Sequence, residues 1–356
     1  MRDGLPILDA DAHVVEPVEI FTGLLPEGVP VMDLPPTTPM VMCGDTSKLT
    51  ALVEARFSTE SYVAAMDAQG IDAAVVYPSL GLFLPHLPEL DRENAADICR
   101  AYNTWAASWT AAGGGRLGAV GILPQRYPAL CVQVAREAMD LGLLGVLLRP
   151  NHLGEHALDD HAFDHLYAEV AARGRVLAIH EGLGVRGPTI GSDRYSSFAA
   201  RHACSHPLEQ MTAAVAFLIG GVCERHPELR VAFLESGTGW LPYWLSRLDE
   251  HREWMGATEL AHLSLDPSEY FARQCIISTD PEDHLVATSL GHIPAANMVW
   301  ASDFPHPDAL FPDAVDAFLG RARADGVATE ALRALMWDTP IAFYRASFTA
   351  PVGVPV

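Results

Sequence analysis

Asp9, Asp11 and His13 stand at alternate positions in DADAHVVEP, directly after the apolar Pro6, Ile7 and Leu8. Side chains of a strand alternate between its faces, so this spacing predicts all three on one face of a buried strand. Two carboxylates and an imidazole crowded away from water repel and lose hydration unless a cation holds them. The plainer alternative is a strand end that reaches solvent, with Asp11 capping a turn and His13 hydrated. Other apolar runs end in the same residue types: VLAIHEG in His180 and Glu181, VAFLESG in Glu235, and VWASDFPHPD in Asp303, with His306 three residues on. Each has an ordinary role open to it: a core histidine on a backbone carbonyl, an N-cap partner, an Asx turn before Pro305. Four such groups meeting in one mouth are harder to explain as packing, because each would need its own partner in a crowded rim. One divalent metal satisfies them together.

The elements that would bring them together are short β-rich runs separated by amphipathic stretches. The runs are Ile7 to Ala12, Ala73 to Pro78, Leu117 to Leu123, Gly145 to Leu148, Val176 to His180, Arg230 to Leu234, Cys275 to Thr279 and Met298 to Ala301. Between them, Phe163, Leu166, Tyr167, Val170 and Ala171 recur at helical spacing before Gly174, and Leu208, Met211, Val215, Leu218 and Val222 do so before Pro227. Strand and helix alternating eight times predict an α/β fold, a (β/α)8 TIM barrel, whose catalytic residues lie at the C-terminal strand ends. A doubly wound sheet is the alternative, but no Gly-rich phosphate fingerprint follows an early strand. The chain of 356 residues exceeds the usual barrel length. The surplus falls in residues 22–60, 181–206 and 236–270, none of which reads as a separate domain, so 1–356 is expected to be one domain.

Composition narrows the partners. A formal net charge of −22 argues against nucleic acid and anionic membranes, which bind through basic surface. No apolar run is long enough to span a bilayer and no signal-peptide core precedes the first strand, so a cytoplasmic location is expected. Six cysteines (Cys43, Cys99, Cys131, Cys204, Cys223, Cys275) are scattered without a C-x-x-C pair and are expected to be mostly reduced and buried.

DADAHVVEP, MDAQGIDAAVVYPS, GVLLRPN, IHEG, HPELRVAFLESGTGWLPYWLSRLDEH and ASDFPHPD together resemble the amidohydrolase-related branch of the amidohydrolase superfamily. That branch includes aminocarboxymuconate-semialdehyde, γ-resorcylate and 5-carboxyvanillate decarboxylases. The resemblance covers nearly the whole chain and implies metal ligands at Asp11, His13, His180 and Asp303, the last also acting in proton transfer. One departure stands out: many members carry a histidine at the end of strand six, where this chain has Glu235. A lysine bridge between two metals is not expected, because the single lysine, Lys48, falls in the irregular early segment. The expectation is therefore one divalent metal with mixed nitrogen and oxygen ligands, zinc first and manganese as carboxylates replace imidazoles.

Further residues fall near the expected mouth. Arg149 could fork onto a substrate carboxylate or form a salt bridge across the rim. His206, at the expected start of the helix after strand five, could donate a proton, a reading the resemblance favours. Tyr77, Ser79 and His306 would line the pocket, although packing explains Tyr77 equally well; Glu16 is given an orienting or structural role. The resemblance implies non-oxidative decarboxylation of a small aromatic or unsaturated acid, with Asp303 protonating the carbon that loses CO2. The alternative is a hydrolase that cleaves a C–N, C–O or C–C bond of a small molecule with Asp303 as base and Glu235 serving equally well. A barrel that binds without catalysis is a third reading, against which the intact ligand set argues. A homodimer is expected from the resemblance, with Leu34 to Pro39 as a contact arm.

Overall fold

The computed structural model of the protein describes residues 1–26, 49–182, 189–306 and 309–349. Eight parallel strands follow in sheet order: β1 (Leu8–Val14), β2 (Ala73–Pro78), β3 (Leu117–Ile122), β4 (Gly145–Leu148), β5 (Val176–Ile179), β6 (Arg230–Phe233), β7 (Cys275–Thr279) and β8 (Met298–Trp300). The two edges come together where the Asp303 amide donates to Asp11 O at 3.1 Å and the His13 amide to Phe304 O at 2.7 Å. The result is the expected (β/α)8 barrel. Its strands are apolar on both faces because one fills the lumen and the other packs under helices. Val75, Val120, Val176, Ala178, Ala232 and Ile276 belong to the lumen cluster, while their neighbours Val76, Ala119, Leu177, Val231 and Ile277 belong to the outer one.

β1 breaks the plain alternation. Leu8 and Ala10 lie in the lumen cluster, but the register against β2 shifts between Asp9 and Ala12, and beyond it Ala12 and Val14 pack outward. This bulge re-phases the strand. Asp9, expected on the same face as Asp11 and His13, therefore lies apart from them: it accepts from the Ser302 amide at 3.0 Å and from the Ser302 hydroxyl. Its carboxylate braces β1 against the segment after β8.

The helix Asp164–Ala172 buries Leu166, Tyr167 and Val170 as the periodicity predicts, and Gly174 follows at φ 61. The helix Phe198–Leu218 differs from expectation in two ways. It starts at the Ser197 N-cap, whose hydroxyl accepts from Ala200 N, so His206 sits well inside the helix and Pro207 does not mark its start. Its buried face also carries His206, Glu209 and Gln210 beside Ala213, Ala214 and Phe217, whereas Leu208 is 37% exposed. The cause is polar anchoring: Gln210 Nε2 donates to Ile179 O at 2.7 Å and Leu234 O at 2.9 Å, which fixes the helix to the ends of β5 and β6.

The surplus after β6 contains the helix Leu241–Met255 and the first half of Pro267–Gln274. Cys43, Lys48 and Leu34 to Pro39 lie outside the described residues. The other cysteines are free thiols, all buried except the partly exposed Cys204. Among the described residues no helix is long and apolar enough to cross a membrane.

Candidate metal centre

β1, β5, β6 and the turn after β8 aim their terminal side chains into one mouth. His13 Nδ1 lies 2.8 Å from Pro78 O, and His180 Nδ1 lies 2.6 Å from Glu181 O. A carbonyl only accepts, so both Nδ1 atoms carry a proton and both Nε2 atoms face the mouth, free to take a metal once unprotonated. There His13 Nε2, His180 Nε2 and Asp11 Oδ1 are buried without a hydrogen-bond partner. Asp11 Oδ1 stands 3.4 Å from His180 Nε2 and 3.8 Å from His13 Nε2, and one donor atom from each of the three lies within 4.8 Å of the others. Asp303 Oδ1 approaches His13 Nε2 at 3.3 Å. Buried acceptors facing each other, with histidines oriented by backbone carbonyls behind them, fit a divalent cation.

Two of the carboxylates sit on unusual backbone. Glu235 has φ 49 and Asp303 φ 58, a left-handed conformation that costs a non-glycine residue free energy and that clusters at functional sites. Each turns its side chain from the end of a strand into the mouth. Glu235 Oε2 reaches within 3.2 Å of His180 Nε2, and Oε1 within 3.1 Å of His206 Nε2. His206 Nε2 is also 3.7 Å from Glu181 Oε2. The long helix thus delivers an imidazole to the strand-six position.

Electrostatics follow from this crowding. Burial pushes the His13 imidazole well below its ordinary range, and His306 and His180 add to the effect. Burial also opposes charge on His180 and His206. Asp11 and Glu235 outweigh it at His180, and Glu235 with Glu181 at His206, so that each is raised to about 9 in the metal-free protein. Burial raises the Asp11 carboxyl despite His180.

The remaining expected residues fall as follows. Ser79 Oγ lies 3.0 Å from His306 Nε2, whose Nδ1 is 2.7 Å from Asp303 Oδ1; the His306 ring stacks on His13 at 4.0 Å. Tyr77 is buried beneath the centre, stacked on His180 and sharing a 2.6 Å hydrogen bond with Tyr344, so it forms the floor. Glu16 accepts from the amides of Ser79, Leu80 and Gly81 and shapes the turn after β2. Arg149 is 1% exposed; its Nη2 donates to Glu181 Oε1 at 2.7 Å, the salt-bridge alternative, and its Nη1 to Leu82 O at 3.4 Å. One group escaped the sequence reading. Asp280, directly after β7, has its carboxyl pushed well above the ordinary range by lost hydration and by Glu235, Asp303 and Asp11. The signal was available, since a carboxylate immediately after a strand is what pointed to Asp303.

A relative from Dictyostelium discoideum, 2-amino-3-carboxymuconate-6-semialdehyde decarboxylase, is 22% identical over 216 residues, 60% of this chain and 58% of the relative. The 5-carboxyvanillate decarboxylase of Sphingomonas paucimobilis superposes with a TM-score of 0.74 at 20% identity over 97% of this chain and all of the other. A dihydroxybenzoic acid decarboxylase of Polaromonas sp., solved with manganese and the inhibitor 2-nitroresorcinol, gives 0.66 at 16% identity over 96% of this chain and 97% of that one. At these identities the structural likeness speaks for the fold. The model of the family described as Amidohydrolase matches residues 8–346, a span that runs from β1 through every strand end described above, and the chain belongs to that family.

Proposed function

We propose that this protein is a metal-dependent non-oxidative decarboxylase of a small aromatic or unsaturated carboxylic acid. The observation that carries the reading is the buried, mutually facing donor set of Asp11, His13 and His180, with Asp303 across the mouth. The named activities of the Dictyostelium relative and of the two structural neighbours support it. Asp11, His13, His180 and Asp303 would hold one divalent ion, zinc first and manganese as the alternative. When bound, that ion supplies Lewis acidity that binds a carboxylate and an adjacent oxygen of the substrate.

The chain's own groups do the rest. Asp303 delivers a proton to the carbon that loses CO2, and the His306 and Ser79 contacts give its carboxyl a route to recover one. His206, held by Glu235, is a second proton-holding group at the mouth. Arg149 acts at one remove by fixing Glu181 beside His206. The reaction consumes one proton and releases CO2, with no water added. We place the protein in the cytoplasm as a homodimer, a state that light scattering at micromolar concentration tests.

The deciding experiment is a panel of ortho-hydroxybenzoates turned over in deuterium oxide. The expected product carries one deuteron on the carbon that lost CO2. Oxygen-18 from labelled water in a new carboxylate, without CO2, would replace this reading with hydrolysis.

A further inference from the structure

We infer that Glu235 is a fifth donor to the metal: Oε2 binds the ion directly, and Oε1 is held by His206. This rests on the metal-dependent reading above and adds to it. Nothing in the four expected ligands requires it, and a histidine was expected in this position.

Three observations point the same way. His180 Nδ1 is committed to Glu181 O, so Nε2 is the nitrogen that faces Glu235 Oε2, 3.2 Å away. In the metal-free protein a proton on Nε2 bridges this pair, and a cation that displaces it meets both atoms. Secondly, Glu235 matches Asp303 feature for feature. Each is a carboxylate on left-handed backbone, with φ 49 and 58. Each sets one oxygen close to the Nε2 of a histidine whose Nδ1 is fixed by a backbone carbonyl, at 3.2 Å for Glu235 with His180 and 3.3 Å for Asp303 with His13. If Asp303 is a ligand, the same geometry makes Glu235 one. Thirdly, the successive separations from Asp303 to His13, Asp11, His180 and Glu235 are 3.3, 3.8, 3.4 and 3.2 Å, with Asp11, His13 and His180 the group that lies mutually within 4.8 Å and Glu235 adjoining it at His180. Donors about 2.0–2.2 Å from one ion stand about 3–3.5 Å apart.

His206 explains why a carboxylate serves here. Glu235 Oε1 pairs with His206 Nε2 at 3.1 Å, which favours the side-chain position that aims Oε2 at His180. The consequence is a change in donor balance. Two imidazoles and three carboxylates make an oxygen-rich set that shifts preference from zinc towards manganese, because hard carboxylate donors suit the harder ion.

The test is a crystal structure of the manganese-loaded wild type together with the manganese and zinc affinities of wild type, Glu235→Ala and His180→Ala, measured by calorimetry on protein stripped of metal. The expected structure has Glu235 Oε2 at bonding distance, about 2.0–2.3 Å from the ion. Glu235→Ala is expected to lose about 10-fold or more in affinity, with manganese losing more than zinc. A loaded site with Glu235 beyond 3 Å, or a variant that loses both metals alike or neither, overturns the inference and leaves the four-ligand reading standing. Wild type that takes up neither metal sinks that reading itself, and His180→Ala binding as tightly as wild type would remove His180 from it.

Discussion

On the proposed reading Asp303 does two things with one carboxylate: Oδ1, which faces His13 and His306, would hold the metal, and the group would also move a proton. Asp303→Asn separates the tasks. Asparagine keeps an oxygen donor of the same shape but exchanges no proton near neutral pH, so turnover is expected to fall by about 10²- to 10⁴-fold while the metal content stays near that of wild type. Loss of metal in step with activity would mean that Asp303 is a ligand alone. The residues proposed to carry this chemistry were legible because each lies at or just past the C-terminal part of a strand, where barrel sites lie: Asp11 and His13, His180, Glu235 and Asp303 all reach one mouth. What was not legible is how they pair. That Glu235 meets an imidazole from a helix, and that Arg149 is already taken by Glu181, depend on side chains brought together from distant parts of the chain. Residue types at strand ends say nothing about such partners.

At the scale of elements, the strands were readable almost to the residue, because parallel barrel strands are short, apolar on both faces and bounded by turn residues. The β1 bulge was not. An extra residue leaves no mark in an alternating pattern, and here it moved Asp9 to the outer face while keeping Asp11 and His13 inside. The helix Phe198–Leu218 misled for a related reason. A row of apolar residues at helical spacing predicts the buried face, yet Leu208 is exposed because Gln210 and His206 must face the strand ends. Gln210 gives this arrangement a measurable cost. Its amide satisfies two buried carbonyls, Ile179 O and Leu234 O, each one residue before a metal-site group. Gln210→Leu is expected to destabilise the metal-free protein by about 1–3 kcal/mol, as read from denaturant unfolding, because Leu234 O loses its side-chain donor while Ile179 O keeps only the Leu234 amide at 3.2 Å. It should also weaken metal binding, since the ends of β5 and β6 would lose a common strut. An unchanged unfolding midpoint would show that solvent replaces the amide without cost.

For the whole molecule, the barrel core and the metal site respond to pH in opposite directions. In the metal-free protein, burial works against charge on His180 and His206, but the carboxylates around them hold both near pKa 9, above the value of about 6.5 in an unfolded chain. A histidine whose pKa is raised by folding stabilises fully below its unfolded value, and that contribution is lost as pH rises through the folded value. The folded state therefore binds more protons than the unfolded state between about pH 6.5 and 9, and stability must fall across that window. Asp9, whose carboxyl burial raises to about 7 despite Ser302, adds a loss of the same sign at lower pH, from the unfolded carboxylate range up to about 7. The metal behaves otherwise. A cation must displace the proton from His180 Nε2, so its affinity rises with pH over the same range and binding releases protons. Bound ligand stabilises the folded state in proportion to the logarithm of its affinity. The melting temperature of the metal-free protein is thus expected to decline from pH 6.5 to 9, while the increment gained on adding manganese or zinc grows. Because ligand removal acts on the mouth and the lumen and outer clusters supply the core, His180→Ala is expected to remain folded, bind little metal and show almost no such increment. Its metal-free decline should also be shallower, since one of the two raised imidazoles is gone. A flat or rising melting curve for the metal-free wild type across this window would mean that His180 and His206 are neutral in the mouth, and that the acids around them are held by something other than imidazolium.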